Sequence, residues 1–166
     1  LTPINGDLLA AAGVRNIAPV IPHGVDSNVF KPVEKGNALT NCMLSNPPSP
    51  FVVQSPFVPF VVGAVGANNR RKRFDDLFES FSLFVRKLEN GPGLVKKQPY
   101  LLIKTDKRRS PSGWDLEALA KRWGIASHTK ILDGETSPRD MAEIYNNMDV
   151  FLSVSEWEGF CIPVIE

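Results

Sequence analysis

Apolar residues in the second half of the chain alternate between two kinds of pattern. Short, dense apolar runs predict four buried strands, at Phe60–Val65, Tyr100–Ile103, Lys130–Leu132 and Val150–Val154. Between these runs, apolar residues recur at helical spacing over about 75–89, over about 115–123 and after Ser137. The first of these segments carries a single apolar stripe, made of Leu77, Phe78, Phe81, Phe84, Val85 and Leu88. We interpret that stripe as core.

This alternation is typical of βαβ units. It predicts an α/β fold, a Rossmann-like parallel sheet with helices on both faces. Right-handed crossovers place every strand-to-helix loop on one edge of such a sheet, which is where open α/β sheets bind ligands. The residues that follow each strand are therefore the candidates for function.

The first third of the chain lacks this alternation. A short helical pattern at Leu8–Ala12 ends at Gly13, and Pro19 interrupts the apolar run that follows. Prolines between residues 33 and 58 exclude regular helix there. We therefore divide the chain into three parts: 1–32, then a Pro-rich irregular linker at 33–58, and a partial Rossmann-like domain at 59–166.

Composition excludes several classes of protein. The 166 residues carry 19 basic and 18 acidic side chains, so nucleic acid is not an expected partner. Cys42 and Cys161 are far apart, and His23 and His128 have no ligand spacing, so no metal site is expected. No apolar run reaches the length of a membrane span, and no signal peptide is visible. These features favour a cytoplasmic protein, with peripheral attachment to a membrane left open.

The last fourteen residues, SVSEWEGFCIPVIE, combine the features of a ligand site. They predict a strand end, a tight acidic loop and a helix start at Ile162-Pro163. The N–H groups of a helix N-terminus bind anionic oxygens, while Glu158 and Glu166 accept hydrogen bonds from hydroxyls. A nucleotide sugar fits that combination. An ordinary acidic loop before a Pro-initiated helix is the alternative.

Two basic runs follow the first two strands. Arg70–Arg73 and Lys107–Arg109 are expected on the same sheet edge as the Glu158 loop. Bases at a helix N-terminus are unfavourable by ~0.3–1 kcal/mol each unless an anion is present. We therefore expect an anion site at Arg70–Arg73, with a solvated helix start as the alternative, and interpret Lys107–Arg109 as a solvated loop.

Four segments resemble one enzyme family, the retaining GT-B glycosyltransferases of group 1. EGFCIPVIE is similar to its E-G-F-G-x-P-x-x-E signature, with the two glutamates eight residues apart. IPHGVDSNVFKP resembles the segment that closes the family's N-terminal domain, and in it we expect Asp26 to make an Asx-type turn and Phe30 to be a buried anchor. VGAVGANNRRKRFDDL and LDGETSPRDMAEIYNNMDVFLSVS resemble the family's first strand and loop and the stretch before its acidic motif.

The resemblance implies that residues 1–32 are the tail of the N-terminal domain and the interdomain segment. It also implies that 59–166 are an incomplete GT-B C-terminal domain, Rossmann-like, that binds a nucleotide sugar. The chain also opens in mid-pattern without Met, and its last helix has no continuation. We therefore expect a fragment of a longer protein, with material missing on both sides.

The resemblance also implies roles for particular residues. Lys72 matches the family's diphosphate-binding Lys, whereas Ala67 stands where the family has Arg, so Arg71 or Arg70 is expected to substitute. Cys161 replaces a family Gly and adds bulk where backbone approaches the diphosphate. Glu158, the candidate catalytic residue, is expected to accept hydrogen bonds from the sugar.

The remaining implied contacts are with the nucleotide. Glu166 is expected to hold the ribose diol, and the backbone of Ile131 and Leu132 to receive the base. The N–H groups of Phe160 and Cys161 are expected to donate to the diphosphate.

The implied activity is retaining sugar transfer from a nucleotide diphosphate sugar, UDP- or GDP-linked, without metal or other cofactor. The acceptor, a glycan, lipid or protein, would bind the missing N-terminal domain, so this piece alone should bind donor weakly and not turn over. Ala67 and Cys161 favour an alternative, a non-catalytic α/β module for a phosphate-bearing ligand or a protein. A phosphatase or kinase is disfavoured, because the sequence has no P-loop or nucleophile motif.

Overall fold

The computed structural model describes residues 3–18, 23–33, 59–91, 98–106, 112–158 and 161–166. Its regular elements follow one another in the order of this list: α1 (Pro3–Ala11), β1 (Phe60–Val65), α2 (Phe74–Glu89), β2 (Pro99–Lys104), α3 (Leu116–Arg122), β3 (Thr129–Leu132), α4 (Pro138–Asn146) and β4 (Val150–Phe151). Strands and helices alternate from β1 onward, as the apolar pattern predicts.

The four strands form one parallel sheet in the order β3-β2-β1-β4. β1 and β2 pair along their whole length, from Phe60 opposite Pro99 to Val65 opposite Lys104. This arrangement confirms the predicted α/β, Rossmann-like fold. Because β1 and β4 are adjacent and parallel, the loops that follow them leave the same edge of the sheet.

Apolar side chains pack on both faces of the sheet. On one face, α2 and α3 cover Val62, Leu101 and Ile103 around the fully buried Phe78 and Leu77. On the other face, the core contains Val61 and Leu102 of the strands together with Ile144 and Met148 from α4 and its end. The predicted stripe of α2 is therefore the main contributor to the larger core.

Gly63 in β1 is required by the close approach of Met148. A Cβ on Gly63 would lie 2.1 Å from the Met148 sulfur, well inside van der Waals contact. The glycine therefore lets the end of α4 pack directly onto the strand. This packing brings the chain from α4 into β4.

β4 is shorter than predicted. Val150 and Phe151 pair with β1, and the Leu152 N–H still donates to the Gly63 carbonyl at 2.8 Å. Beyond that point the chain turns towards the loop after β1, where the Glu156 N–H donates to the Arg71 carbonyl at 2.9 Å. The predicted strand to Val154 is therefore wrong at its end, because a contact with a neighbouring loop replaces sheet pairing.

Helix starts follow their sequence signals. The Asp115 carboxylate accepts from the Ala118 N–H at 3.0 Å and caps α3. Ser137 accepts from the Asp140 N–H at 3.2 Å and caps α4, which begins at Pro138. None of the described helices combines the length and apolar character needed to cross a membrane.

The segment 23–33 lies against the end of α4. The Asp26 carboxylate accepts from the Asn28 N–H at 2.8 Å, which is the expected turn. The half-buried Phe30 ring packs edge-on against Tyr145 with centroids 6.2 Å apart, and the Val33 N–H donates to the Asn146 side chain at 2.9 Å. Phe30 therefore packs against α4 as expected, but it is half-buried rather than fully buried. The predicted linker 33–58 lies outside the described residues from residue 34 on, as do Pro19–Pro22.

Candidate functional site

The loop after β1 contains the basic run. Arg70–Lys72 form a single 3₁₀ turn, and α2 begins at Phe74 after Arg73, which has a left-handed backbone with φ 48°. The aliphatic part of Lys72 passes over Gly66, where an added Cβ would lie 3.0 Å from the lysine Cε. The glycine therefore leaves room for Lys72 to reach along the sheet edge.

The expectation of four unbalanced bases at a helix N-terminus is wrong. Arg70, Arg71 and Lys72 belong to the 3₁₀ turn, and the first turn of α2 contains Asp75 and Asp76. Arg73 pairs with Asp76 at 2.7 Å, and this hydrogen bond raises the pKa of the Arg73 guanidinium. The helix follows the ordinary dipole rule. The candidates for an anion site in this run are therefore Arg71 and Lys72.

Arg71 and Lys72 converge on one carboxylate from a distant part of the chain. The Arg71 Nη1 donates to Glu158 Oε2 at 2.7 Å, and the Lys72 ammonium donates to Glu158 Oε1. The three side chains are only 27%, 12% and 22% exposed, so solvent screens them incompletely. The structure thus brings together three of the residues that the sequence assigned to the site.

This cluster keeps Glu158 ionised. Partial burial acts to raise the pKa of Glu158, but hydrogen bonds from Lys72, Ser155 and Arg71 outweigh it and lower the pKa to about 2. At neutral pH the side chain is an acceptor without a proton to give. It can therefore accept hydrogen bonds from hydroxyls, but it cannot act as a general acid.

Trp157 is a contact of this cluster that sequence reasoning missed. Its ring centroid lies 4.6 Å from the Arg71 guanidinium carbon, and its carbonyl accepts from Arg71 Nη1 at 2.5 Å. The only sequence signal was an aromatic residue between two acids, Glu156 and Glu158, in a loop. That signal does not specify a partner.

The segment after the acidic loop contains Cys161 and Glu166. Cys161 has a left-handed backbone with φ 60°, and its sulfur lies 3.7 Å from the Ser153 hydroxyl oxygen. The predicted helix start is a single 3₁₀ turn, Ile162–Val164. Phe160, expected to donate its N–H to a diphosphate, lies outside the described residues, as does the Lys107–Arg109 run.

Glu166 is held by Tyr145 of α4. The Tyr145 hydroxyl donates to Glu166 Oε2 at 2.6 Å, while its ring packs edge-on against Phe151 with centroids 6.0 Å apart. Burial, and next the hydrogen bond to Glu166, raise the pKa of Tyr145, so its hydroxyl keeps its proton. Sequence reasoning treated Tyr145 as packing and missed this polar contact.

Ile131 and Leu132 lie at the end of β3, two strands away from β1. Their side chains are half-buried and pack on opposite faces of the sheet, and the Leu132 carbonyl accepts from the Thr105 N–H at 3.0 Å. The buried Lys104 donates to the Gly134 carbonyl at 2.5 Å and so ties β2 to the loop after β3. This loop shares the carboxyl edge with the Glu158 cluster.

Within the part of the chain that the structure describes, no three His, Cys, Asp or Glu side chains are grouped as metal ligands. The cluster contains two cations, Arg71 and Lys72. Arg71 and Lys72 offer five and three N–H donors, so each has donors beyond those that Glu158 occupies.

A model of the family described as glycosyl transferases group 1 matches residues 49–166, well over half of the chain. The chain belongs to this family. No curated protein matches it by sequence.

One solved structure supports the fold. The C-terminal domain of a group 1 glycosyl transferase family protein (LpcC) from Francisella tularensis superposes with a TM-score of 0.58 at 16% identity, over 85% of this chain and 64% of that one. The chain thus spans slightly less than two thirds of that domain's length. The apo form of the lipopolysaccharide outer core galactosyltransferase WaaB matches with a TM-score of 0.47 at 18% identity, over 67% of this chain and 28% of that one.

Proposed function

We propose that this chain binds the nucleotide diphosphate sugar donor of a glycosyltransferase at the cluster of Arg71, Lys72 and Glu158. The observation that carries the proposal is the convergence of two cations and a carboxylate from loops 86 residues apart on the ligand-binding edge of a parallel sheet. Family membership makes glycosyl transfer the reaction in which such a cluster would act.

The cations have the properties needed for a diphosphate. Arg71 presents a planar fork of donors and Lys72 a compact ammonium, and both contact Glu158. In the reaction that we propose, they stabilise the charge that develops on the departing diphosphate, without a bound metal. Arg71 takes the place of the cation that the family has at position 67, where this chain has alanine.

The carboxylates have the properties needed for hydroxyls. Glu158 stays ionised and would accept hydrogen bonds from the sugar, fixing its pose for transfer with retention. Glu166, oriented by Tyr145, would accept from the ribose diol. The chain offers no obvious nucleophile in this cluster, and we assign none.

The other donor contacts would be made by backbone. We propose that the N–H groups of Phe160 and Cys161 donate to the diphosphate, and that the end of β3 at Ile131 and Leu132 receives the base. The donor would be a UDP- or GDP-hexose, and a further domain would bind the glycan, lipid or protein acceptor. We place the reaction in the cytoplasm, where it could also occur at a membrane surface.

Calorimetric titration of UDP and GDP tests the proposal. Lys72→Ala and Arg71→Ala should each weaken the preferred nucleotide about tenfold or more, since each removes a charged phosphate contact. Arg70→Ala is the matched control, because Arg70 is exposed in the same turn, and it should bind like the wild type. Wild-type nucleotide affinity in all three variants would contradict the proposed phosphate site.

The same titration separates the alternative, a non-catalytic phosphate-binding module, which Ala67 and Cys161 favour. Such a module would bind inorganic pyrophosphate as tightly as UDP or GDP, and Glu166→Gln would not change its affinity. A donor site should prefer the nucleotide and lose that preference in Glu166→Gln, because the ribose contact is then weakened.

A further inference from the structure

Trp157 is a large apolar side chain that the fold leaves in solvent. It is 66% exposed, so burial does not explain its position. Its one described ring contact is the stack on the Arg71 guanidinium at 4.6 Å. This contact suggests that Trp157 acts on the Arg71 side chain.

The loop that carries Trp157 holds Arg71 in several ways. The Glu156 N–H donates to the Arg71 carbonyl at 2.9 Å, and the Trp157 carbonyl and Glu158 carboxylate both accept from Arg71 Nη1. The indole adds a contact with the guanidinium itself. Loop residues 156–158 thus contact Arg71 through backbone, charge and an aromatic ring.

Stacking and hydrogen bonding use different parts of a guanidinium. An aromatic ring contacts the flat face, whereas the N–H donors lie in the plane and point outward. Stacking on Trp157 therefore restricts the long Arg71 side chain without occupying its donors. A side chain that is already ordered loses less conformational entropy when it binds an anion.

We propose that Trp157 is a positioning residue that holds the Arg71 guanidinium ready for the donor diphosphate. The role rests on the proposed function, because it assigns Arg71 to the phosphates. It also explains how Arg71, rather than its exposed neighbour Arg70, compensates for the alanine at position 67. Trp157 acts through Arg71 and does not itself touch the donor.

A double-mutant cycle tests this mechanism. With UDP and GDP as probes, Trp157→Leu should weaken binding about fivefold, and Trp157→Phe, which keeps an aromatic face, should weaken it less. In an Arg71→Ala background, Trp157→Leu should have no further effect, because the residue it positions is gone. A similar loss in both backgrounds would overturn the proposal and indicate direct stacking of the indole on the ligand.

A measurement on the ligand-free protein separates this proposal from the proposed function. In side-chain NMR spectra, Trp157→Leu should move the Arg71 guanidinium resonances, which lose the ring current, and should make Glu158 easier to protonate. Trp157→Phe should largely restore both. If neither UDP nor GDP binds the wild type, the proposed function fails, and positioning is then decided by these spectra. Unchanged resonances and an unchanged Glu158 titration in Trp157→Leu would overturn it.

Discussion

Two halves of the sheet are held in different ways. β1 and β2 pair along six residues each and are covered by α2 and α3, whose core-facing apolar side chains are almost fully buried. β4 pairs through two residues, and the loop after it is fixed to the loop after β1 by ion pairs and backbone hydrogen bonds. The first half is stabilised by burial. In the second half a smaller apolar core packs against Phe151, and the loop after β4 is held by charge.

The difference supports the proposed position of the ligand site. Burial is non-directional and rigidifies the sheet, whereas charged groups at its edge keep donors and acceptors that a ligand can use. Variants in the two halves should therefore respond differently to pH and to nucleotide.

The largest expected effect is in the buried half. Phe78 is fully buried at the centre of α2, so Phe78→Ala should reduce the free energy of unfolding by ~3–5 kcal/mol. Leu83 lies on the same helix and is 58% exposed, and Leu83→Ala should change the stability by less than about 0.5 kcal/mol. Urea denaturation measures both, and similar losses in the two variants would contradict the assigned core face.

The next effect is in the charged half and depends on pH. Glu158→Gln should cost roughly 1–2 kcal/mol at pH 7, because it removes a partly buried carboxylate that accepts from two cations. The pKa of Glu158 is lowered from an ordinary 4.5 to about 2 in the folded protein. Its stabilisation is therefore fully present above the ordinary pKa and is lost as pH falls towards 2.

This direction of pH dependence can be checked with urea denaturation midpoints, measured from pH 7 down to the lowest pH at which the protein remains folded. The wild type should lose stability over the acidic part of the range more steeply than Glu158→Gln. Glu156→Gln, which removes an exposed carboxylate from the same loop, should retain the steep dependence. The same dependence of stability on pH in all three proteins would show that the cluster does not stabilise the fold.

A smaller effect is expected where α4 meets the last residues. Tyr145→Phe keeps the ring that packs on Phe151 and removes only the hydroxyl that donates to Glu166. The loss should be about 1 kcal/mol, accompanied by weaker nucleotide binding. Tyr100→Phe, which removes a hydroxyl from another half-buried ring, is the control and should bind nucleotide normally. Unchanged nucleotide affinity in Tyr145→Phe would show that Tyr145 does not support the site.

The smallest effect concerns Cys161, where the change should stabilise the protein. Its φ of 60° strains a residue with a Cβ, so Cys161→Gly should gain about 0.5 kcal/mol after the extra entropy of glycine in the unfolded chain. Cys161→Ala keeps the Cβ and should gain nothing. Thermal denaturation compares the two, and equal stabilities would show that the strain is relieved elsewhere.

The sheet and its helices could be predicted because their signals are local. The spacing of Leu77, Phe78 and Phe81 defines one face of α2, and Ser137 with Pro138 marks the start of α4. Such patterns follow from the geometry of the element itself. The proximity of Lys72 and Glu158 could also be predicted, because adjacent parallel strands fix the sheet edge at which their loops emerge.

The partners within the site could not be predicted, because they depend on contacts across long sequence separations. The Arg73–Asp76 pair is an exception, because it is local and the two acids just after the basic run signal it in the sequence. By contrast, no local pattern links Trp157 to Arg71, or Tyr145 to Glu166. The early end of β4 has the same cause, since it depends on a hydrogen bond to the loop after β1.

The central claim is that the cations of the cluster face the diphosphate while Glu158 faces the sugar. Comparing the affinities of a nucleoside diphosphate and its hexose derivative in wild type and in Glu158→Gln tests this most directly. The substitution removes a carboxylate that competes for Arg71 and Lys72, so it should tighten binding of the bare diphosphate by about fivefold.

In the same variant, the nucleotide sugar should lose affinity relative to the diphosphate, since the acceptor for the sugar hydroxyls is weakened. The predicted result is a lower ratio of nucleotide-sugar affinity to diphosphate affinity in Glu158→Gln than in the wild type. The same ratio of the two affinities in Glu158→Gln and in the wild type would contradict the account.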